Sequence, residues 1–322
     1  MSDASHSTTG LSRRGFLGAA SIGAAALTSI PRTIRGQEKP TPRPQFRFCL
    51  NTSTIRGQRL PLETIVDMAA EVGYDALEPW ISDIQDYKGR GGDLGDMKKR
   101  IADHGMTVES AIGFANWIVD DDAKRAEGLE NAKRDMDLLA GIGGIRIAAP
   151  PAGATNQEGM DLFQAAERYH ALLEVGRETG VVPQLELWGF SKTLSRLGEV
   201  AFVAAECGHP DACVLTDVYH VYKGGSDING YRLFAGSMLS AIHLNDYPAD
   251  PPRETIGDGD RILPGDGIAP IGEILRIMAS NGFNGPLSLE IFNRSYWEMD
   301  ARFVMKSGLE KMRAVVDAAF TD

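Results

Sequence analysis

The chain has 322 residues, 43% of them hydrophobic and 24% charged, with a formal net charge of −11. That composition excludes a disordered or collagen-like chain and a polytopic membrane protein. The acidic balance argues against a nucleic-acid partner, whose phosphates need clustered cations. Three cysteines, Cys49, Cys207 and Cys213, are too few for a disulfide scaffold and form no C-x-x-C pair, so they read as buried thiols.

Residues 1–36 read as an address. Ser12-Arg13-Arg14-Gly15-Phe16-Leu17 precedes an Ala/Gly-rich apolar stretch that runs to Ile30. This resembles a twin-arginine export signal, cleaved or retained, and implies a periplasmic location. The stretch is too short and too weakly apolar for a stable membrane span. Without residues 1–36 the body keeps 29 basic and 43 acidic residues, a net charge of −14. Residues 37–45 carry Pro40, Pro42 and Pro44 and read as an extended linker, so the folded body is expected over 46–322.

From Phe46 onward, apolar runs alternate with helical spacing eight times. Phe46–Asn51 reads as a strand and Leu62–Val72 as a helix ended by Gly73. Tyr74–Trp80 is the second strand, followed by a helix over Met97–His104. Strand Thr107–Ile112 precedes a long amphipathic helix, Asp121–Leu139. Strand Gly144–Ala149 precedes helix Leu162–Thr179, closed by Gly180. Strand Val181–Trp188 precedes helix Leu194–Glu206. Strand Ala212–Val218 precedes a helix expected over Ile228–Met238. Strand Ser240–Asn245 is followed by helix Ile271–Ser280, and strand Pro286–Phe292 by helix Trp297–Ala319. Short buried strands alternating with helices make parallel β/α units. Eight such units predict an α/β fold of one domain, a (β/α)8 TIM barrel. An open doubly wound sheet would carry a Gly-rich phosphate turn after its first strand; Asn51–Gly57 contains no such turn.

Four consecutive strands end in metal-ligand chemistry. Strand five offers Glu186, strand six Asp217, strand seven His243 and strand eight Glu290, each an ionisable residue in an apolar run. A buried unpaired carboxylate is costly. Strands about 4.8 Å apart bring their ends to one point at a barrel mouth. Three carboxylates and one imidazole form an oxygen-rich set that suits one divalent ion, Mn2+ or Mg2+, with Co2+ or Zn2+ as further fits.

With Glu186, Asp217-x-x-His220, His243 and Glu290 in that order, and with Arg261-Ile262-Leu263-Pro264-Gly265-Asp266-Gly267 after strand seven, the body resembles the xylose isomerase-like sugar isomerase/epimerase superfamily. The resemblance implies metal ligation by Glu186, Asp217, His243 and Glu290, and substrate binding by His220. Arg261 would reach the substrate from its loop. Isomerases, epimerases and dehydratases share this pattern, so fold analogy alone leaves the reaction open.

The ligand set suggests a mechanism. An ion holding a ketone oxygen and a neighbouring hydroxyl stabilises an enediolate, and Glu186 and Glu290 are the catalytic bases on either side. Return of the proton to the opposite face epimerises a sugar; return to the neighbouring carbon isomerises it. The first expectation is therefore a metal-dependent isomerase or epimerase of a small sugar or keto sugar. The alternative is a lyase or dehydratase on a keto sugar or 3-keto-glycoside, through the same proton removal. A non-catalytic sugar-binding protein has no need of two carboxylates on a metal. A nuclease resembling endonuclease IV needs more histidines for its metals. Trp80 and Trp188 are placed to stack on sugar faces, as is Trp117. Glu78 either binds substrate hydroxyls or pairs within the barrel. Homo-oligomerisation is left open.

Overall fold

The computed structural model describes residues 44–321; the twin-arginine motif, the apolar stretch after it and most of the Pro-rich linker lie outside the described residues. Among the described residues there are eight strands: β1 (Arg47–Asn51), β2 (Ala76–Glu78), β3 (Thr107–Val108), β4 (Arg146–Ala149), β5 (Val182–Glu186), β6 (Val214–Asp217), β7 (Leu239–His243) and β8 (Pro286–Leu289). All pair in parallel, in the order β3-β2-β1-β8-β7-β6-β5-β4. The two ends of this curled sheet meet past β3. The Ala111 amide donates to the Arg146 carbonyl at 3.0 Å, and the Ala148 amide donates to the Ala111 carbonyl at 2.8 Å. This is the single TIM-barrel domain expected from the alternation.

The barrel is wrapped by α1 (Leu62–Val72), α2 (Ile81–Gly89), α3 (Leu94–Asp103), α4 (Asp122–Gly141), α5 (Leu162–Thr179), α6 (Leu197–Glu206), α7 (Val218–Lys223), α8 (Ile271–Ser280), α9 (Arg294–Trp297) and α10 (Ala301–Phe320). Their boundaries follow local chemistry. Asp121, Asp161 and Asp300 accept backbone amides at the starts of α4, α5 and α10. Gly73, at φ 99°, ends α1 in a conformation that strains any residue with a Cβ. The main core lies between the strands and the helices. Tyr169 of α5 is fully buried there, with its hydroxyl 2.9 Å from the carbonyls of Pro183 and Cys213, which seats α5 on β5 and β6. A separate cluster inside the barrel contains Ile112, Ala148, Leu215 and Ala241, with Trp80 packed on it.

Several expected boundaries move. The helix expected over Ile228–Met238 is a 3-10 turn, Ile228–Leu233. The Asn281 side-chain amide donates to the carbonyls of Tyr231 and Phe234, and Phe234 is extended, so those carbonyls face a partner outside any helix. The helical turn of this unit instead follows β6 directly as α7. Leu194 has φ 52°, so the helix expected from Leu194 starts at Leu197. The helix α2 has no counterpart among the expected elements. Its start is set by the Asp83 carboxylate, which accepts from the Trp80 amide and the Thr52 hydroxyl.

Candidate active site

Alternation along the strands decides what enters the barrel. On β5, Gln184 and then Glu186 point inward; on β8, Ser288 is followed two residues on by Glu290. Asp217 ends β6, His243 ends β7, and the two are register partners. Gln184 hydrogen-bonds to Ser110 and accepts from the Ser240 hydroxyl, closing a polar layer below the ligand level. Above it the four expected ligands meet, each at most 4% exposed.

His243 stands at the centre. Its Nδ1 lies 3.0 Å from Glu290 Oε2, 3.5 Å from Asp217 Oδ2 and 3.8 Å from Glu186 Oε1. Among the described residues neither ring nitrogen has a hydrogen bond of acceptable geometry. An imidazole nitrogen buried without such a bond, facing three carboxylate oxygens on three strands, fits a divalent cation better than it fits a hydrogen-bond network. The ligand atoms of Asp217, His243 and Glu290 all lie within 4.8 Å of one another, and Glu186 stands just outside that trio.

The supporting shell is equally specific. Glu78 Oε2 lies 3.0 Å from His243 Nε2 and accepts from Ser288 at 2.6 Å and Asn51 at 2.9 Å. Glu78 thus stands inside the barrel beside the imidazole, held by Ser288 and Asn51. Asn51 also donates to Glu290 Oε1 at 3.1 Å. Asn245 donates to Asp217 Oδ2 at 3.0 Å.

Burial dominates the electrostatics of the site. It pushes the Glu186 carboxyl well above the usual carboxylate range, with Glu290, Asp217 and Glu78 adding to the rise against His243. Burial opposes positive charge on His243, but Glu290 and Glu78 outweigh it and push the imidazole well above its ordinary value, the same negative surroundings that favour a cation at Nδ1. Burial would also raise Asp217, yet Arg261 and His220 hold it far below its ordinary value. His220 is pushed down to about 4 by burial and by Arg261.

Arg261 was expected to reach substrate from its loop. It is 1% exposed and turned inward. One Nη1 donates to Asp217 Oδ2 at 2.9 Å and Glu290 Oε2 at 2.8 Å, while Nη2 meets His220 Nε2 at 3.0 Å. Its guanidinium lies over Tyr219, 4.5 Å from the ring centroid. The loop that delivers it hangs on Asp246, whose carboxylate accepts the amides of Gly265, Gly267 and Ala269. A Cβ on Gly267 would stand 2.2 Å from the Tyr247 carbonyl, so this close approach requires glycine. His220 is held by its own amide, which donates to Asp217 Oδ1 at 2.7 Å.

Trp80 and Trp188 both stand at the mouth, as expected, and Trp80 donates its indole N–H to Asn51 Oδ1 at 3.3 Å. Trp117 does not. It is buried, donates to the Pro150 carbonyl at 2.8 Å and packs on Tyr169, so it belongs to the core. Asn245 and Asp246 follow β7 at the mouth, where the sequence placed them; Asn51 escaped the reading, although it gave the same signal as the ligands, a polar side chain closing an apolar run.

The chain matches the xylose isomerase-like TIM barrel family over residues 66–315. It is 26% identical over 151 residues to an inosose isomerase of Halalkalibacterium halodurans, a match spanning 47% of this chain and 53% of that protein. A fructoselysine 3-epimerase of Escherichia coli O157:H7 is 24% identical over 82% of this chain and 96% of its own. A 3-dehydroshikimate dehydratase of Pseudomonas aeruginosa is 24% identical over 77% of this chain but 38% of its own. Among solved structures, the IolI protein with a bound zinc atom superposes with a TM-score of 0.79 at 18% identity, covering 86% of this chain and all of that one. A family match across most of the barrel, on the fold and side-chain arrangement described above, makes this chain a member of the xylose isomerase-like TIM barrel family.

Proposed function

We propose that the chain is a metal-dependent isomerase or epimerase of a small sugar or keto sugar. The observation that carries this reading is the placement of Glu186 and Glu290 on β5 and on the end of β8, the outer two of four adjacent strands, with His243 Nδ1 between them. Glu186, Asp217, His243 and Glu290 would hold the ion. A bound divalent ion supplies a Lewis acid for the carbonyl oxygen of the substrate.

The residues of the chain do the rest. Glu186, on one side of His243 Nδ1, takes the proton from the carbon beside the carbonyl, leaving an enediolate. Glu290, braced by Arg261 and Asn51 on the far side, enters as the carboxylic acid and gives its proton to the opposite face, so that the epimer forms with Glu186 protonated and Glu290 ionised, and solvent resets both. Return by the same base to the neighbouring carbon gives the aldose–ketose pair instead. The similarity to a 3-dehydroshikimate dehydratase favours one second reading, in which the same proton removal is followed by loss of a β-substituent.

Solvent exchange tests the proposal. With an accepted keto sugar in D2O, deuterium enters the carbon beside the carbonyl. Elemental analysis of the chain grown with excess Mn2+ finds about one divalent ion, and Glu290→Ala loses it. Conversion without any deuterium uptake, or a chain that carries no metal, overturns the mechanism.

A further inference from the structure

The mouth carries more aromatic surface than one sugar ring covers. Trp80 meets Phe114 edge-on with ring centroids 5.0 Å apart, Phe114 meets Trp188 at 6.0 Å, and Trp188 stacks on Phe190 at 5.3 Å. These four rings form a continuous arc from the end of β2, past β3, to the segment after β5. Phe114 is 43% exposed and Phe190 45%. Large apolar rings grouped in water beside a polar centre mark a surface that a ligand covers.

A groove leads away from this arc. It is an open groove of about 620 Å3, lined in part by Arg56, Trp80, Gln85, Phe114, Asn116 and Arg134. Arg56 lies over the Trp80 ring, 3.5 Å from its centroid. Among the described residues its guanidinium makes no hydrogen bond, so its donors are free to meet a ligand hydroxyl while its flat face stays on the indole. Trp80 joins this groove to the candidate site, since its indole N–H reaches the Asn51 side chain that also holds Glu290.

We infer that the substrate carries a second ring, glycosidic or aryl, which lies along Trp188, Phe114 and Trp80 with Arg56 at its edge. This rests on the proposed sugar chemistry at His243 and narrows it: the natural substrate is a ring-substituted keto sugar, and a free monosaccharide fills half of the site. The shared chemistry is a flat ring with a C–H or π face; whether that ring is a sugar or an arene is decided by the arms of the test.

The test is equilibrium binding to the purified full chain by calorimetry. The probes are matched sets of a monosaccharide, its phenyl glycoside and its β-linked disaccharide in the gluco, galacto and xylo series. At least one two-ring probe should bind roughly ten-fold or more tightly than its monosaccharide. A gain confined to phenyl glycosides identifies an aryl occupant, and a gain confined to disaccharides a sugar. Phe114→Ala should reduce the gain to about two-fold or less with the monosaccharide affinity unchanged, and Phe114→Tyr should restore it. No gain in any series, or a gain indifferent to Phe114→Ala, overturns the inference. Because binding is read without turnover, a gain in a chain that exchanges no deuterium refutes the proposed reaction and leaves the second-ring site standing. Exchange without a gain does the reverse.

Discussion

At the floor of the barrel, Glu109 follows β3 and is 4% exposed. It accepts from Arg47 at 2.8 Å and from the Thr107 hydroxyl at 2.8 Å, with Arg146 at 3.8 Å. At the mouth, the carboxylates of Glu78, Glu186, Asp217 and Glu290 share one arginine and one histidine, and that histidine makes no well-formed hydrogen bond. The floor has two basic side chains for one carboxylate; at the mouth Arg261 and His243 serve those four, and Arg261 also meets Asp258. Both are buried, so burial does not separate them. What differs is the balance of charge and the satisfaction of each polar atom. A paired carboxylate at the floor closes the barrel. Four carboxylates around two basic side chains leave the mouth short of positive charge, a balance that a proton on Glu186 or a bound cation would restore, because low-dielectric surroundings make an uncompensated charge costly.

Three substitutions bear on that difference, and the largest effect is expected at Arg261. Arg261→Ala leaves Asp217 and Glu290 buried with one cation fewer, and should cost about 3–5 kcal/mol in a urea titration without added metal. Excess Mn2+ should recover part of this loss, since a divalent ion compensates the same oxygens. A cost under about 1 kcal/mol would mean that the mouth charges are solvated and that the contrast with the floor is false.

Next comes Glu186→Gln, which keeps shape and removes basicity. It should lower kcat by roughly 10²-fold or more with metal content largely retained. Full activity in this variant would remove Glu186 from the proton-transfer step. The smallest effect belongs to the floor. Glu109→Gln should cost about 1 kcal/mol or less, because the Arg47 and Arg146 side chains are 48% and 31% exposed and rehydrate. Its kcat/KM should equal that of the parent chain. A loss of turnover there would show that floor and mouth are coupled through the barrel interior.

Much of this was legible in the order of residues. Buried parallel strands write themselves as short apolar runs, and a single ionisable residue at the end of such a run is conspicuous, which is why Glu186, Asp217, His243 and Glu290 could be read directly. The repeat of strand and helix gave the barrel because each unit must cover both faces of a parallel sheet. The weak points were local. The segment after β6 looked helical because its apolar spacing allowed it, and the two carbonyls that the distant Asn281 captures cannot be seen in that spacing.

The part of the site that only the tertiary structure decided is the part made by contacts distant in sequence. Asn51 reaches Glu290 across 239 residues, and Arg261 turns inward because Asp217 and Glu290 stand where its guanidinium can bridge them. Trp117 carries the same side chain as Trp80 and Trp188 but falls among the core residues, since Pro150 and Tyr169 surround it. Sequence determines which side chains are carried and, through the period of a strand, which face they enter. Whether a charge entering that face is neutralised, and by which partner, depends on the closure of the barrel, which brings the ends of β1 and β8 together and sets the dielectric around them.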